Sequence, residues 1–410
     1  NMYASGWAPL HNQEFHTRTN SIYDAYAWYY YYTIIGNANT ILANIDTAEG
    51  VDDEKSFIKA SALTFRAYAF EKLVHYYCWR WQDSNNGASQ GVVLRLDEST
   101  GGQGYATLAE TYAQIYRDLD EAIALYEQSG MDRDAAQIWI PNINVAHAVY
   151  ARAALTKQDY SQALSEAKLA RQNYPLMTNA EYHSGFCNPT SEWIFGCFGG
   201  SQENNWYWSY GTQFACNGYY ANNQNTGAGA IGRELINRIP DNDARKALFL
   251  TEDKFPGYNY NDGSAMDLSY GILGMGDKET EADKLWDEAA AYCQKMAVSG
   301  LAAPYQAGYM YLGGQLKFHV FDTPGVSYLP FIRSSEMVLV EAEANYFLNN
   351  EQGAQAALIE LNATSGRNAE YTCTKVGNEL WNEIMDYREL ELWGEGFAWS
   401  DYKRWNRPVV

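Results

Sequence analysis

The stretch that most constrains the fold is residues 144–175, "NVAHAVYARAALTKQDYSQALSEAKLARQNYP". Two helical patterns meet there at a tight turn over Lys157 to Asp159. Ala151, Ala163, Ala170 and Pro175 fall at the small-residue and proline positions of a tetratricopeptide repeat. Ala167 stands where that repeat usually carries an aromatic, so the match is partial. Small residues at these sites let paired helices approach closely. Such a unit cannot bury its apolar face alone and needs neighbours on both sides.

The rest of the chain supplies neighbours. Apolar residues recur at helical spacing from Trp28 through Tyr31, Ile35, Leu42 and Ile45, and again at Ala60, Leu63, Ala67, Phe70, Val74 and Tyr77. A third stripe runs Leu108, Tyr112, Ile115, Leu119, Ala122, Tyr126, opened by "TLAE", in which Thr107 and Glu110 predict a capping box. Periodicity is lost from 176 to 330, where Gly, Asn, Tyr and Trp accumulate. There "EWIFGCF" reads as a short strand and "EADKLWDEAAAYCQKMA" as a short helix. Helices return at Ser334 with a helix, an Asn-rich turn and a second helix, and a last one runs from about Asn378 to Trp393. The expected fold is mainly α: a tetratricopeptide-like α-α superhelix over 1–175 and 331–410, with a loop-rich insert at 176–330 that carries short strands. All 410 residues are expected to form one domain. An ordered loop region of that length is usually functional.

Charge narrows the function. Lys plus Arg is 29 and Asp plus Glu is 50, for a net charge of −21. That balance argues against nucleic acid as a partner. It also tilts the expected ligand toward neutral chemistry. Six cysteines without a C-x-x-C pair predict free thiols, and no stretch approaches the roughly 20 apolar residues of a membrane span.

Enzyme motifs are missing: no H-E-x-x-H, no G-x-S-x-G and no phosphate-binding loop. His147, on an Ala-rich helix, is expected to be structural. Asp241 and Asp243 in "PDNDARK" read as a helix cap with Arg245 as partner in preference to a cation site, and "YNDGSAMD" (260–267) reads as a turn. No metal, cofactor or catalytic residue is expected.

Aromatic residues make up 15% of the chain, with 34 Tyr against 15 Phe, a bias toward rings with a polar tip. The densest kit is "HYYCWRWQDSNN" (75–86), where Trp79, Arg80 and Trp81 are followed by Asn85 and Asn86. A flat ring removes the C–H face of a sugar from water, and amide, carboxylate and guanidinium groups bond its hydroxyl rim. By analogy with base stacking each ring contributes about 1–3 kcal/mol. Two or three such contacts give millimolar to micromolar affinity, roughly −4 to −8 kcal/mol. The competing reading is that both indoles plug the end of a helix pair, and the residues alone leave the two level. "NNWYWSY" (204–210) repeats the composition through Trp206, Tyr207 and Trp208. The tyrosine run at 29–32 reads as helix packing.

These elements together resemble the SusD/RagB family of surface glycan-binding lipoproteins. "YYTIIGNANTILANID", with Asn39, looks like the family's first helix, and "KASALTFRAYAFEKLVHYY" is similar to its second through Ala60, Phe65, Arg66, Ala67 and Leu73. "DNDARK" resembles its D-x-R turn. "YLPFIRSSEMVLVEAEANY" carries Arg333, Ser335, Glu336 and the A-E-A at 342–344. "LNATSGR" follows, then "ELELWGEGFAWSDYKRW" through Glu391, Leu392, Glu395, Gly396, Asp401, Arg404 and Trp405. Ala398 and Glu389 depart from the pattern at positions that look structural.

The resemblance implies non-catalytic binding of an oligosaccharide, with Trp79, Arg80, Trp81 and Asn85 or Asn86 as contacts, and Trp206, Tyr207, Trp208 and Trp286 as further candidates in the insert. It implies delivery to a SusC-like TonB-dependent transporter that meets the helical face. It implies residence on the outer leaflet of the outer membrane through a lipid-anchored cysteine. No such cysteine precedes Cys78, which is attributed to trimming of the N-terminus. A helical-repeat glycoside hydrolase and a peptide-binding importer subunit are the alternatives.

Overall fold

The computed structural model describes residues 22–202, 209–218, 229–251, 291–292, 294–302, 313–322 and 325–408. Among these, five helices come first: α1 (Ile22–Asn44), α2 (Asp52–Tyr77), α3 (Leu108–Ser129), α4 (Ile143–Thr156) and α5 (Tyr160–Ala170). Each packs on the next. The predicted stripes are their contact faces: Ala60, Leu63, Ala67, Phe70 and Val74 of α2 meet Leu108, Tyr112, Ile115, Leu119, Ala122 and Tyr126 of α3 in one core. The capping box is formed as expected, with Thr107 accepting from the Glu110 amide while the Glu110 carboxylate accepts from the Thr107 N–H. Gly130 ends α3 in the left-handed conformation.

In the α4–α5 pair Ala151, Ala163, Ala167 and Ala170 are all fully buried. Ala167 serves the same close approach as its neighbours, which is why an aromatic is dispensable there. His147 Nδ1 lies 2.5 Å from the Glu166 carboxylate within this pair, the structural role expected of it.

Past α5 the described elements are α6 (Asn179–Tyr182), β1 (Trp193–Gly199), α7 (Tyr210–Gln213), α8 (Arg233–Arg238), β2 (Ser327–Arg333), α9 (Ser334–Phe347), α10 (Glu351–Ile359), α11 (Gly377–Glu391) and α12 (Ala398–Trp405). The strand read from "EWIFGCF" is β1. It pairs antiparallel with β2, Cys197 opposite Leu329. The helix read from "EADKLWDEAAAYCQKMA" falls largely outside the described residues, as does "YNDGSAMD".

The sheet lies between two apolar cores. Ile194 and Phe195 enter the core of α1–α5, whereas Trp193 enters a second core built by α9, α10 and α11 with Phe249 and Phe318. Helix α9 divides the same way: Met337, Val340 and Ala344 face the first core, and Val338, Leu339 and Ala342 the second. A helix buried on all sides needs an all-round apolar sequence, and this accounts for the weak amphipathicity of "SEMVLVEAEANYF".

Charges buried beside α9 tie these parts together. The Arg333 guanidinium donates to Glu192 at 2.7 Å, to Glu391 at 2.7 Å and to Glu395 at 2.8 Å. Arg245 donates to Asp243 at 2.6 Å and to Glu391 at 2.9 Å, and also reaches Asn362. Lys317 donates to Glu395 at 2.7 Å and to the carbonyls of Glu391 and Trp393, each at 3.0 Å. All these side chains are essentially sealed from water. Burial raises the cost of each carboxylate, but the surrounding Arg333, Arg367, Arg245 and Lys317 charges outweigh it and hold Glu391 well below the usual carboxylate range. Glu395 is lowered in the same way, burial being outweighed by Arg333 and Lys317.

Cys78, Cys187, Cys197 and Cys373 are free thiols. Asp243 caps a turn by accepting from the Arg245 N–H at 2.9 Å, and Asp241 pairs with Lys246, so both acids are committed to local partners. Among the described residues no cluster of His, Cys, Asp and Glu has the makings of a metal site, and no helix is long and apolar enough to cross a membrane.

Removing one member of a buried ion cluster strands its partners and costs about 3–5 kcal/mol. Glu391→Gln is therefore expected to lose about that much in urea unfolding at pH 7. The sign of the pH effect follows from the lowered Glu391 and Glu395 acidities. The stabilisation is complete above the ordinary glutamate value of about 4.3 and is lost as pH falls toward the folded-state values. Wild-type stability is expected to drop steeply below that pH, and the Glu391→Gln variant to show a shallower acid limb.

Candidate functional site

The stretch from His75 to Asn86 straddles the end of α2. The helix stops at Tyr77, Cys78 is extended, and the chain enters a single 3-10 turn at Trp81–Asp83. That turn separates the two indoles. Trp79 is 70% exposed. Trp81 swings inward and meets Tyr112 of α3 edge to face at 5.5 Å, with the Lys157 ammonium 5.7 Å from its ring centre. An extended chain would have pointed both the same way; the 3-10 turn makes one indole a surface group and the other a half-buried plug.

Asn85, Asn86 and Gly87 follow with φ of 51°, 56° and 83°. Three consecutive left-handed residues favour Asn and Gly over other types. A Cβ on Gly87 would lie 2.7 Å from Ala109 Cβ and 2.8 Å from the Trp81 ring. The Gly87 carbonyl accepts from the Ala109 N–H at 2.9 Å and the Ser89 carbonyl from the Leu108 N–H at 2.8 Å, so the turn satisfies amides at the start of α3. Both asparagines are exposed, and the backbone conformation accounts for their presence.

Trp79 and Arg80 line an open groove of about 500 Å³, with Tyr76, Tyr77, Cys78 and Asp83 from the α2 side. The facing wall comes from the far end of the chain: Trp399, Tyr402, Lys403, Asn406 and Arg407. Trp399, Tyr402 and Asn406 are spaced i, i+3, i+7 and share one face of α12 and its cap. Trp399 is 49% exposed, so two indoles flank the opening. Lys403 locks the walls together by donating to the carbonyls of His75 at 2.7 Å and Cys78 at 2.5 Å, where α2 runs out of partners. Gln82 donates to the Arg404 carbonyl at 3.3 Å.

Buried charges sit in the helices that form both walls. Glu71 is buried against His75 Nε2 at 3.0 Å. Burial penalises its charge, but nearby His75, Lys72 and Arg152 outweigh that penalty and hold its carboxyl below the usual range; His75 is itself lowered by burial, so Lys72 and Arg152 supply the opposing charge at neutral pH. In α12, Asp401 is held by both Arg388 and Arg404. At the groove surface Arg80 pairs with Asp83, Arg407 lies 3.6 Å from Glu389, and Lys403 is engaged as described. The lining thus carries three cations, Arg80, Lys403 and Arg407, against one carboxylate, Asp83, with Glu389 close to Arg407.

The structure brings Trp79 and Arg80 together in one groove. Trp81, Asn85 and Asn86 do not line it. Trp206, Tyr207, Trp208 and Trp286 lie outside the described residues. Sequence reasoning missed Trp399, Tyr402, Asn406 and Arg407. The helical spacing of the first three was the available signal, but nothing in the sequence places α12 against the end of α2. The tyrosine run also divides: Tyr31 and Tyr32 pack against the core, whereas Tyr29 and Tyr30 are exposed.

Comparison with known proteins bears on this arrangement. A family model described as "SusD family" matches residues 167–409, and one described as "Starch-binding associating with outer membrane" matches residues 4–155. The chain belongs to the SusD family. Its fold is similar to that of a SusD-like carbohydrate binding protein from Bacteroides vulgatus, at 22% identity and a TM-score of 0.75, covering 100% of this chain and 76% of that one. A SusD superfamily protein from Bacteroides thetaiotaomicron aligns at 21% identity and a TM-score of 0.66, over 93% of this chain and 74% of that one. Surface glycan-binding protein A from Bacteroides uniformis aligns at 16% identity and a TM-score of 0.64, with 93% and 74% covered. No curated protein matches. The SusD-type motif residues have a shared physical role here: Asp243, Arg245, Arg333, Glu391 and Glu395 are the buried ion cluster. Asn39 and Arg66 form a second buried set, in which Arg66 holds Asp118 through two bonds of 2.7 and 2.8 Å and Asn39 holds the carbonyls of Arg95 and Asp97.

The two indoles are expected to differ in stability measurements. Trp79→Ala should leave thermal unfolding within about 0.5 kcal/mol of wild type, as for an exposed site. Trp81→Ala should cost about 2–3 kcal/mol, below the full cost of a buried tryptophan because the ring is only half covered. Gly87→Ala should cost about 1–3 kcal/mol through overpacking and its positive φ.

Proposed function

We propose that the protein binds oligosaccharide or polysaccharide chains at the cell surface, without turning them over, in the groove between Trp79 and Trp399. The observation that carries this reading is the pair of exposed indoles set across one open groove, rimmed by hydrogen-bonding groups from Arg80, Asp83, Tyr402 and Asn406. Family membership and the family description of starch binding support it. Arg80 and Asn406 donate to hydroxyl oxygens, and Asp83 accepts from hydroxyl protons.

Binding without hydrolysis is supported by the acids present. Glycoside hydrolysis needs two opposed carboxyl groups across the bond. Among the described residues the groove lining carries a single carboxylate, Asp83, and Arg80 neutralises it. The bound chain would pass to a SusC-like TonB-dependent transporter in the outer membrane, against which the helical scaffold would dock, with a lipid anchor on the outer leaflet keeping the two together. The family description of association with the outer membrane supports that setting.

Native affinity gels containing amylopectin, xyloglucan, mixed-linkage β-glucan, galactomannan or arabinoxylan test the reading. At least one polymer is expected to retard the wild-type protein, and Trp79→Ala and Trp399→Ala each to weaken that retardation about tenfold, a loss of roughly 1.4 kcal/mol. No reducing ends should appear on prolonged incubation. Release of reducing ends, abolished by one carboxylate change, would make the protein a glycosidase instead.

A further inference from the structure

Helix α1 carries an exposed aromatic face that the groove does not use. Tyr26, Tyr29 and Tyr30 are 66%, 70% and 60% exposed. Their spacing of three and four residues sets them on one side of the helix. Tyrosines at such exposure are costly to leave as an apolar patch, and a patch of this kind on a monomer marks a contact surface.

The face is continuous with the groove. Tyr30 meets Tyr31 edge to face at 5.2 Å, and Tyr31 stacks on Tyr76 at 6.2 Å with an interplanar angle of 23°. Tyr76 and its neighbour Tyr77 line the groove beside Trp79. Ring contacts therefore lead from Tyr76, in the groove lining with Trp79 and Trp399, across Tyr31 to Tyr30.

The chemistry of the face selects its occupant. From Ala25 to Asn44 the sequence has no acidic or basic residue, in a chain whose net charge is −21. The exposed rings are phenols, which offer an apolar face together with a hydroxyl that donates and accepts. This helix segment therefore has no charge of its own to pair with a charged partner. A neutral chain with alternating C–H faces and hydroxyl rims fits.

We infer that the tyrosine face of α1 is an additional subsite that extends the groove, so that the protein reads long neutral glycan chains in preference to short ones. This rests on the reading of the groove as a glycan site. Tyr30 and Tyr76 are the residues that join the two surfaces, and neither belongs to the Trp79–Trp399 pair.

The experiment uses the polymer that retards the protein in the gel series, cut into a ladder of two to ten sugars, with calorimetric titration of the full chain. Wild-type affinity is expected to rise at least tenfold between the trisaccharide and the octasaccharide. Tyr29→Ala/Tyr30→Ala should lower octasaccharide affinity about fivefold or more and leave trisaccharide affinity unchanged, whereas Trp79→Ala should weaken both. Far-ultraviolet circular dichroism of the double variant should match wild type, since both rings are exposed. A flat length dependence, or an octasaccharide affinity unmoved in the tyrosine variant, would overturn the inference while leaving the groove assignment intact. Failure of every polymer to retard the wild-type protein would instead remove the glycan reading and this extension with it. Sedimentation that shows a dimer dissolved by the tyrosine changes would give the face to a second copy of the chain and also overturn the inference.

Discussion

A guanidinium sealed inside a protein must be met by carboxylates, because an isolated buried charge costs several kcal/mol even after relaxation. Arg333 imposes that demand at the junction of β2 and α9, and three glutamates answer it from different parts of the chain. Glu192 precedes β1, Glu391 ends α11, and Glu395 lies in the connection to α12. Arg245 and Lys317, which come from the irregular middle, share the same acids. Few other arrangements of these segments leave every charge paired. The cluster thereby fixes how the loop-rich middle sits on the helices, a task apolar contact alone performs loosely because it lacks direction.

That anchoring sets the position of the groove. Glu395 stands between the end of α11 and the start of α12, and Arg388 of α11 holds Asp401 of α12. The last helix is thus oriented by ion pairs at its root before Lys403 fastens it to the end of α2. The exposed indoles need no stabilising contact of their own. They are presented by backbone that buried groups hold in place, the arrangement expected of a binding surface carried on rigid elements.

The helical scaffold was legible in the sequence because each stripe reports a face that one neighbour covers. α9 shows where that logic stops: covered on every side, it has little periodicity to read, and the motif residues around it supplied the assignment instead. The capping box, the Ala-rich helix pair and strand β1 were legible from local signals. The divergence of Trp79 and Trp81 was not, since it depends on one 3-10 turn whose cause is the docking of Asn85, Asn86 and Gly87 on α3. Those asparagines looked like ligand groups by composition, yet their positive φ gives them a backbone reason to be there. Trp399 and Tyr402 carried a helical spacing but no indication of what they face, because that contact spans more than three hundred residues of chain. The exposure of Tyr29 and Tyr30 was equally hidden, as four consecutive tyrosines surround a helix and only the packing of α2 decides which two are covered.

The tether from Lys403 to the carbonyls of His75 and Cys78 also has a bearing on timing. One wall of the groove is made near the beginning of the described chain and the other near its end, and the described lining comes from these two regions alone. A chain emerging N-terminus first can assemble α1–α5 early, since domains and their helices form as they are synthesised. It still offers only half a cleft until the final helix arrives. The cleft is therefore complete only once that last described helix has packed against the end of α2.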